Sequence, residues 1–199
     1  TGIWLSEFAE AYIQFTKEGY EVTVSSLNGG KAVIDPRSIN ENTPQEILDT
    51  TKYLDDTIRL DDVSHESFHA IFLPGGHGTM FDLPNNKKLS ELLVDFYEEG
   101  KIVAAVCHGP AGLINATLYN GQPLVSGKTL TAFTNEEERA TKLDQFMPFL
   151  LETRLRELGA KFVKAANWSN HVEIDGTLIT GQNPQSTISV ANEVIKQLC

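Results

Sequence analysis

The sequence is poor in cysteine, in basic residues and in long apolar runs. Only Cys107 and Cys199 occur in 199 residues, so there is no disulfide framework and we expect a reducing, cytoplasmic setting. Lysine and arginine number 16 against 27 acidic residues, a net charge of −11, which argues against nucleic acid or an anionic membrane as a partner. No apolar run approaches the length that crosses a bilayer.

Motifs for nucleotide phosphates and for zinc are missing or unconvincing. Neither G-x-G-x-x-G nor G-x-x-x-x-G-K-[ST] occurs. His65-Glu66-Ser67-Phe68-His69 matches the H-E-x-x-H pattern, whose chemistry requires one continuous helix. Because the strand-like segment Ala70–Leu73 follows at once, a helix could hardly persist through the motif. We therefore expect no metal site and no cofactor.

Short β-rich runs alternate with helical patterns along the whole chain. This alternation predicts an α/β fold in which helices cover both faces of a mostly parallel sheet. We expect residues 35–62 to be a surface excursion and residues 1–199 to form a single domain. The predicted helices are 6–18, 86–100, 148–158 and 184–198, and the predicted strands are 20–26, 70–73, 101–106, 129–133, 161–165 and the hairpin 172–180.

The strand at 101–106 ends in Cys107, with the small residues Ala105 and Gly109 two positions before and after it. This spacing is typical of a nucleophile elbow, in which a sharp turn holds the nucleophile at a helix N-terminus. Amides there are expected to lower the pKa of the thiol and to bind an oxyanion. The loop Gly75–Gly76 also follows a strand, so it should share one crevice with Cys107. The alternative is an inert core cysteine.

A catalytic thiol needs a base and an orienting acid, and the sequence offers two sets. One is His171-x-Glu173, whose side chains would share a face of a strand. The other is His108, next to the thiol, with an acid from the run Glu136-Glu137-Glu138. Spacing alone leaves both sets open.

Several stretches together resemble the PfpI superfamily of class I glutamine-amidotransferase-like proteins, and most closely its glyoxalase III and stress-chaperone branch. The resemblance implies a flavodoxin-like three-layer α/β sandwich, whose first strand we expect to lie upstream of Thr1. The stretches that carry it are Ala105-Val-Cys107-His108-Gly-Pro, Pro74-Gly-Gly-His77-Gly-Thr-Met-Phe-Asp, Thr1-Gly-Ile-Trp-Leu-Ser-Glu7, Asp35-Pro36-Arg-Ser and Ile179-Thr-Gly181-Gln-Asn-Pro184.

The resemblance also implies roles for individual residues. Cys107 would be the nucleophile, His108 its imidazole partner and Glu138 the orienting acid, whereas Glu136 and Glu137 are expected to be solvated. Glu7 would hold its carboxyl against the sulfur, sharing one proton with it. Oxyanion and binding groups would come from Gly75, Gly76 and His77, with the amides of Gly76 and His108 donating. Asn183 stands where amidotransferases carry a catalytic H-x-E, so glutamine hydrolysis is not expected.

The function implied by the resemblance is that of a cysteine-dependent, glutathione-independent glyoxalase III-type enzyme. It would convert 2-oxoaldehydes such as methylglyoxal to D-lactate, and the same chemistry would remove early glycation adducts from protein. One alternative is a stress-induced holding chaperone for unfolded protein, or a redox sensor that uses Cys107. Another is an intracellular cysteine peptidase or amidase. We expect a homodimer.

Overall fold

A computed structural model describes residues 1–199 and contains seven α-helices and eight strands. None of the helices combines the length and the apolar character needed to cross a bilayer. The helices are α1 Leu5–Lys17, α2 Gln45–Leu48, α3 Thr79–Asp82, α4 Lys87–Glu98, α5 Asn135–Thr141, α6 Leu151–Glu157 and α7 Thr187–Leu198. The strands are β1 Ser25–Ser26, β2 Ile58–Arg59, β3 Ala70–Leu73, β4 Ile102–Val106, β5 Thr129–Leu130, β6 Lys161–Phe162, β7 Val172–Asp175 and β8 Leu178–Gly181.

The central sheet has four strands in the order β3-β4-β8-β7. β3, β4 and β8 run parallel, and β7 pairs antiparallel with β8 at one edge through the predicted hairpin. Two short parallel pairs, β1–β2 and β5–β6, lie outside this sheet. The prediction of a mostly parallel sheet is confirmed.

The central strand β4 is buried along its whole length and divides the core in two. Val103 and Ala105 face the larger apolar cluster, which contains the inner face of α4. Ile102 and Ala104 point the other way, into a cluster built on α7, and α7 packs against α1. Because successive side chains of a strand alternate in direction, one apolar run serves both layers, and the predicted three-layer sandwich is confirmed.

Three predicted strands are shorter than expected, and in two of them a side chain takes the place of the sheet partner. The strand at 129–133 pairs only as β5, and the next amide, of Thr131, donates to Thr180 Oγ1 at 2.9 Å. The strand at 161–165 pairs only as β6, and the Ala165 amide donates to Gln182 Oε1 at 2.8 Å. The strand at 20–26 is reduced to β1. The amides of Thr131 and Ala165 thus stay hydrogen-bonded outside the strand ladder.

The turn after Cys107 is tighter than predicted. Gly109–Leu113 forms a 3₁₀ turn of five residues, not the expected α-helix, so no long helix dipole points at the sulfur. Gly109 lies against the end of β3, where a Cβ would overlap the carbonyl oxygen of Leu73. The prediction that this position must be small is confirmed.

The H-E-x-x-H stretch has no continuous helix, as the sequence predicts. His65–Ser67 is a 3₁₀ turn, and β3 begins at Ala70. His65 instead pairs with the end of α4: its Nδ1 lies 3.5 Å from Asp95 Oδ2, and its Nε2 lies 2.8 Å from Oε1 of Glu99, the residue after the helix. The motif therefore joins the start of β3 to a neighbouring helix.

Replacing Gly109 by Ala should lower the free energy of unfolding by roughly 1–3 kcal/mol, because backbone must move to admit the methyl group. Gly112→Ala in the same turn is the control, since a Cβ there meets only the flexible ends of leucine side chains at 3.2 and 3.3 Å. It should stay within about 1 kcal/mol of the wild type. Denaturant titration measures both, and equal losses would refute the steric explanation.

Candidate active site

The carboxyl ends of three parallel strands meet at one edge of the sheet. Pro74-Gly75-Gly76 follows β3, Cys107 follows β4 and Gln182-Asn183 follows β8. The register places Leu73 opposite Ala105 and Val106 opposite Gly181. The glycine loop and the cysteine therefore share one crevice, as predicted for an open α/β sheet.

Cys107 has the strained backbone of a nucleophile elbow, with φ of 59°. Its amide donates to the carbonyl of Gly181 and its carbonyl accepts from the amide of Phe133, both at 2.9 Å. The residue is 3% exposed, and the amides of Gly76 and His108 face its thiol and lower the thiol pKa. A left-handed non-glycine residue held in this way points to function rather than to inert packing.

Burial raises the pKa of the Cys107 thiol well above its usual range, and the carboxyl of Glu7 raises it further. The amides of His108 and Gly76 lower it but offset only part of this effect. The expectation that local amides would depress this pKa is wrong, because the sulfur is enclosed and the following turn is short. The resting thiol is protonated near neutral pH.

Glu7 lies on α1 and is fully buried, so it is not a surface residue of the first helical turn. Its Oε2 accepts a hydrogen bond from the Gly75 amide at 2.6 Å. Its Oε1 has no hydrogen-bond partner, and the carboxyl and the Cys107 thiol each influence the pKa of the other. Burial raises the pKa of Glu7 to about 8, so near neutral pH the carboxyl is protonated beside the sulfur.

The three residues expected to supply oxyanion and binding groups have different roles in the structure. Gly76 directs its amide to the sulfur and has φ of 109°, a conformation that favours glycine. The Gly75 amide is used by Glu7, and a Cβ on Gly75 would lie 2.6 Å from the His108 nitrogen. The His77 imidazole turns to Glu138 instead. Only Gly76 of the three presents an amide to the sulfur.

A continuous hydrogen-bonded chain joins Cys107, His108 and Glu138. Cys107 Sγ lies 3.3 Å from His108 Nδ1, and His108 Nε2 lies 2.5 Å from Glu138 Oε2. Burial lowers the pKa of His108 in spite of the carboxylate. A neutral imidazole that donates through Nε2 to Glu138 leaves the lone pair of Nδ1 facing the sulfur.

Glu138 accepts from a second histidine. His77 Nε2 lies 2.6 Å from Glu138 Oε1, and the two imidazole centroids are 4.3 Å apart. Burial alone would raise the pKa of Glu138, but the hydrogen bonds from His108 and His77 outweigh it and lower the pKa to about 2. The carboxylate is therefore ionised at all working pH values.

Arg37 extends this chain to the surface and was not singled out by the sequence. Its Nη2 lies 3.3 Å from His77 Nδ1, and its Nε donates to Asp35 Oδ1 at 3.0 Å. The only sequence signal was the stretch Asp35-Pro36-Arg-Ser, which contributed to the resemblance without a role for the arginine.

His77, His108 and Glu138 are also a group of metal-ligand type, with ligand atoms within 4.8 Å of one another. The separations from histidine nitrogen to carboxylate oxygen are 2.5 and 2.6 Å. Two ligands about 2.1 Å from one tetrahedral ion would lie farther apart than this. These distances fit hydrogen bonds, so the group fits a positioned base rather than a metal centre.

Glu137 is buried, not solvated as expected. Its Oε1 accepts from Trp168 N, Gln182 Nε2 and Asn183 Nδ2 at 2.8, 3.0 and 2.9 Å. Its Oε2 completes a capping box with Thr134 at the start of α5. Glu136 is solvated and pairs with Lys164, as predicted for a helix start. Glu137 thus ties the loop before β7 and the end of β8 to α5.

The alternative base, His171, lies apart from the sulfur. Its Nε2 is 3.0 Å from Glu173 Oε1, so the two side chains do share a strand face as predicted. The His171 amide donates a hydrogen bond to Ser186 Oγ at 3.0 Å. No hydrogen bond connects this pair with Cys107 or His108, and the structure favours the His108 set.

A cysteine at the tip of the central strand, with an imidazole and a carboxylate in series beside it, defines a class of α/β proteins built around one reactive thiol. Within that class, the DJ-1/PfpI family profile matches residues 2–197. The chain belongs to the DJ-1/PfpI family, which confirms the resemblance seen in the sequence.

Within this family, the chain is similar to proteins named as glyoxalases. Glutathione-independent glyoxalase HSP31 of Saccharomyces cerevisiae is 33% identical over 213 residues, covering 100% of this chain and 90% of the relative. Glyoxalase 3 of Candida albicans is 31% identical over 212 residues, covering 98% and 89%. The crystal structure of glyoxalase III from Candida albicans aligns with a TM-score of 0.91 at 30% identity, covering 98% of this chain and 87% of that one. The likeness extends over nearly the whole length of both chains.

Glu7→Gln should change how stability depends on pH. In the wild type the pKa of Glu7 rises from 4.5 to about 8 on folding, so its contribution is fully present below pH 4.5 and is lost as pH rises through 8. Glutamine does not titrate. Between pH 5 and pH 8.5 the variant should therefore gain a few kcal/mol of unfolding free energy relative to the wild type.

The control for this experiment is Glu136→Gln, since Glu136 is exposed and its pKa is lowered by Lys164. It should show no gain over the same range. Urea unfolding at several pH values measures all three proteins. Parallel curves for the wild type and Glu7→Gln would mean that Glu7 does not hold a proton in the folded state.

Proposed function

We propose that this protein is a cysteine-dependent, glutathione-independent glyoxalase that converts small 2-oxoaldehydes such as methylglyoxal to 2-hydroxy acids such as D-lactate. The observation that carries the proposal is the buried chain from Cys107 through His108 to Glu138, with a protonated Glu7 against the same sulfur. The names of the full-length relatives support the same activity.

In the first step the Cys107 thiol transfers its proton to His108 Nδ1, and sulfur adds to the aldehyde carbon. The carbonyl π electrons move to oxygen, so a hemithioacetal oxyanion forms. The amides of Gly76 and His108, which already point at the sulfur, are within reach of that oxygen. Fixed donors in a buried site stabilise such a charge strongly.

In the second step a proton moves between the two substrate carbons. The oxyanion takes the proton of Glu7, and the Glu7 carboxylate then removes the proton of the former aldehyde carbon while His108 gives its proton to the ketone oxygen, so an enediol forms. Glu7 returns its proton to the neighbouring carbon as the hydroxyl on the sulfur-bearing carbon gives its proton to His108, which leaves a thioester of the 2-hydroxy acid. Water cleaves the thioester to release the acid, and the sulfur regains its proton from His108. Glu7 suits this relay because its pKa of about 8 makes both proton uptake and release accessible near neutral pH.

The enclosure of the thiol favours a small substrate. Cys107 is 3% exposed, so an aldehyde of a few atoms reaches it more readily than a folded polypeptide or a peptide backbone. Where amidotransferases carry a catalytic H-x-E, this chain has Asn183, whose side-chain amide donates to Glu137. These observations count against the peptidase or amidase alternative.

Several further expectations remain predictions. They are the single domain over residues 1–199, the homodimer, the cytoplasmic location, the action on glycated protein, and the holding-chaperone or redox-sensor alternative. If Cys107→Ala suppressed aggregation of an unfolded client as well as the wild type, the chaperone role would be independent of the site.

Cys107→Ser and Cys107→Ala should both abolish D-lactate formation from methylglyoxal and leave the fold intact. Serine fits the elbow, but its hydroxyl is a far weaker nucleophile near neutral pH. An enzymatic D-lactate assay measures the loss, and circular dichroism checks the fold. Cys199→Ser is the control, because Cys199 is exposed at the end of the chain, and it should keep full activity. Full activity in Cys107→Ala would refute thiol chemistry.

His108→Ala should lower kcat by on the order of a hundredfold or more, as removal of a general base commonly does. His171→Ala is the matched control, since it also removes an imidazole paired with a glutamate but has no link to the sulfur. It should be nearly silent. The reverse outcome would restore His171 and Glu173 as the catalytic pair.

A further inference from the structure

His77 stands between a carboxylate and a permanent cation, and this fixes which nitrogen carries its proton. Arg37 has only N–H donors and stays charged, so His77 Nδ1, 3.3 Å from Arg37 Nη2, must accept. The proton of a neutral His77 is therefore on Nε2, where it is donated to Glu138 Oε1 at 2.6 Å. A reversed tautomer would turn lone pairs toward the carboxylate and a proton toward the guanidinium.

Arg37 is itself held in place by a buried partner. Asp35 is fully buried and accepts from Arg37 Nε, Arg37 Nη2 and the Arg37 amide. The Asp35 side chain also caps the turn Pro36–Ser38, and its backbone amide donates to the Ile3 carbonyl at 2.9 Å. The arginine side chain is 44% exposed. The chain of contacts thus begins at the surface and ends at the sulfur.

Glu138 has two oxygens, and its use of them decides the state of His108. While His77 occupies Oε1, only Oε2 remains for His108 Nε2. That bond keeps the proton of His108 on Nε2 and the lone pair on Nδ1, next to Cys107. If His77 no longer donates, Oε1 keeps only a 3.3 Å contact from Thr141 Oγ1, a hydroxyl that already donates to the Glu138 carbonyl at 2.7 Å. A buried carboxylate oxygen is then poorly satisfied, which is costly. The carboxylate then gains by rotating or by sharing the proton of His108.

We propose that Arg37 is a positioning residue that acts through His77, holding it as a donor so that Glu138 keeps His108 in the tautomer that accepts the proton of Cys107. The role rests on the proposed function of His108 as the base. Its distinguishing feature is that Arg37 makes no hydrogen bond to Glu138, His108 or Cys107, so its hydrogen-bonded link to the thiol passes through the imidazole of His77.

A double-mutant cycle tests this dependence. Arg37→Met should lower kcat, and the rate of Cys107 alkylation by iodoacetamide, about tenfold, with KM within about twofold. His77→Phe, which keeps the ring shape, should cost at least as much. The double variant should be no slower than His77→Phe alone. All variants are made in a Cys199→Ser background, so that only Cys107 reacts. If the rate loss of the double variant equalled the product of the two single losses, the proposal would be overturned.

Two further variants distinguish a positioning effect of Arg37 on His77 from a general effect on the stability of the fold. Arg37→Lys keeps a cation against Asp35, and with it the turn, but has no second nitrogen to reach His77. It should melt at the wild-type temperature and still react slowly, whereas wild-type reactivity would overturn the proposal. Arg59→Met removes a surface arginine paired with Asp61 and should change nothing.

Imidazole ¹⁵N spectra supply a readout that does not depend on glyoxalase activity. In the wild type, Nδ1 of His77 and Nδ1 of His108 should both appear unprotonated, and in Arg37→Met both signals should shift toward mixed tautomers. Slow alkylation with an unchanged His77 spectrum would overturn the proposal. If the wild type forms no D-lactate, the proposed function fails, but alkylation and the ¹⁵N signals still decide the role of Arg37.

Discussion

The backbone conformation of Cys107 is the constraint on which the site depends. A non-glycine residue at φ of 59° is strained by about 1–3 kcal/mol and persists only where its neighbours hold it. Its amide is bound to Gly181 on β8, and its carbonyl receives the amide of Phe133, beyond β5. Gly109 lets the turn lie against β3. Backbone hydrogen bonds to β8 and to the segment after β5 therefore aim the thiol, and the core that stabilises β4 also maintains the strain.

Two buried carboxyls near the sulfur are driven in opposite directions by what they touch. Glu7 faces a thiol and one amide, and burial raises its pKa to about 8. Glu138 is also buried, but two imidazoles donate to it, and its pKa falls to about 2. One carboxyl is thus able to exchange a proton near neutral pH, while the other is a fixed anion. Environments that separate the pKa values of like groups are how a fold assigns acid and base roles.

The sequence predicted the elements whose signals are local, and it was wrong where a long-range contact decides. The apolar run ending in Cys107 and the glycine two residues later were enough for the elbow. Three consecutive glutamates carry no such signal, because successive helical residues point about 100° apart. The phase of α5 turns Glu138 to the histidines and Glu137 to the loop at Trp168. The raised pKa of the thiol was missed because burial by α1 is invisible in the motif itself.

A protonated thiol in a closed site is compatible with catalysis on an aldehyde. Addition to an aldehyde needs the thiol proton to leave only as the bond forms, and His108 Nδ1 lies 3.3 Å from the sulfur to take it. The enclosure that raises the pKa of the thiol also lowers the local dielectric, so each amide aimed at the site interacts more strongly with a developing oxyanion. Burial therefore disfavours a thiolate in the resting site. It also strengthens the interaction between the amides and the oxyanion that the reaction creates.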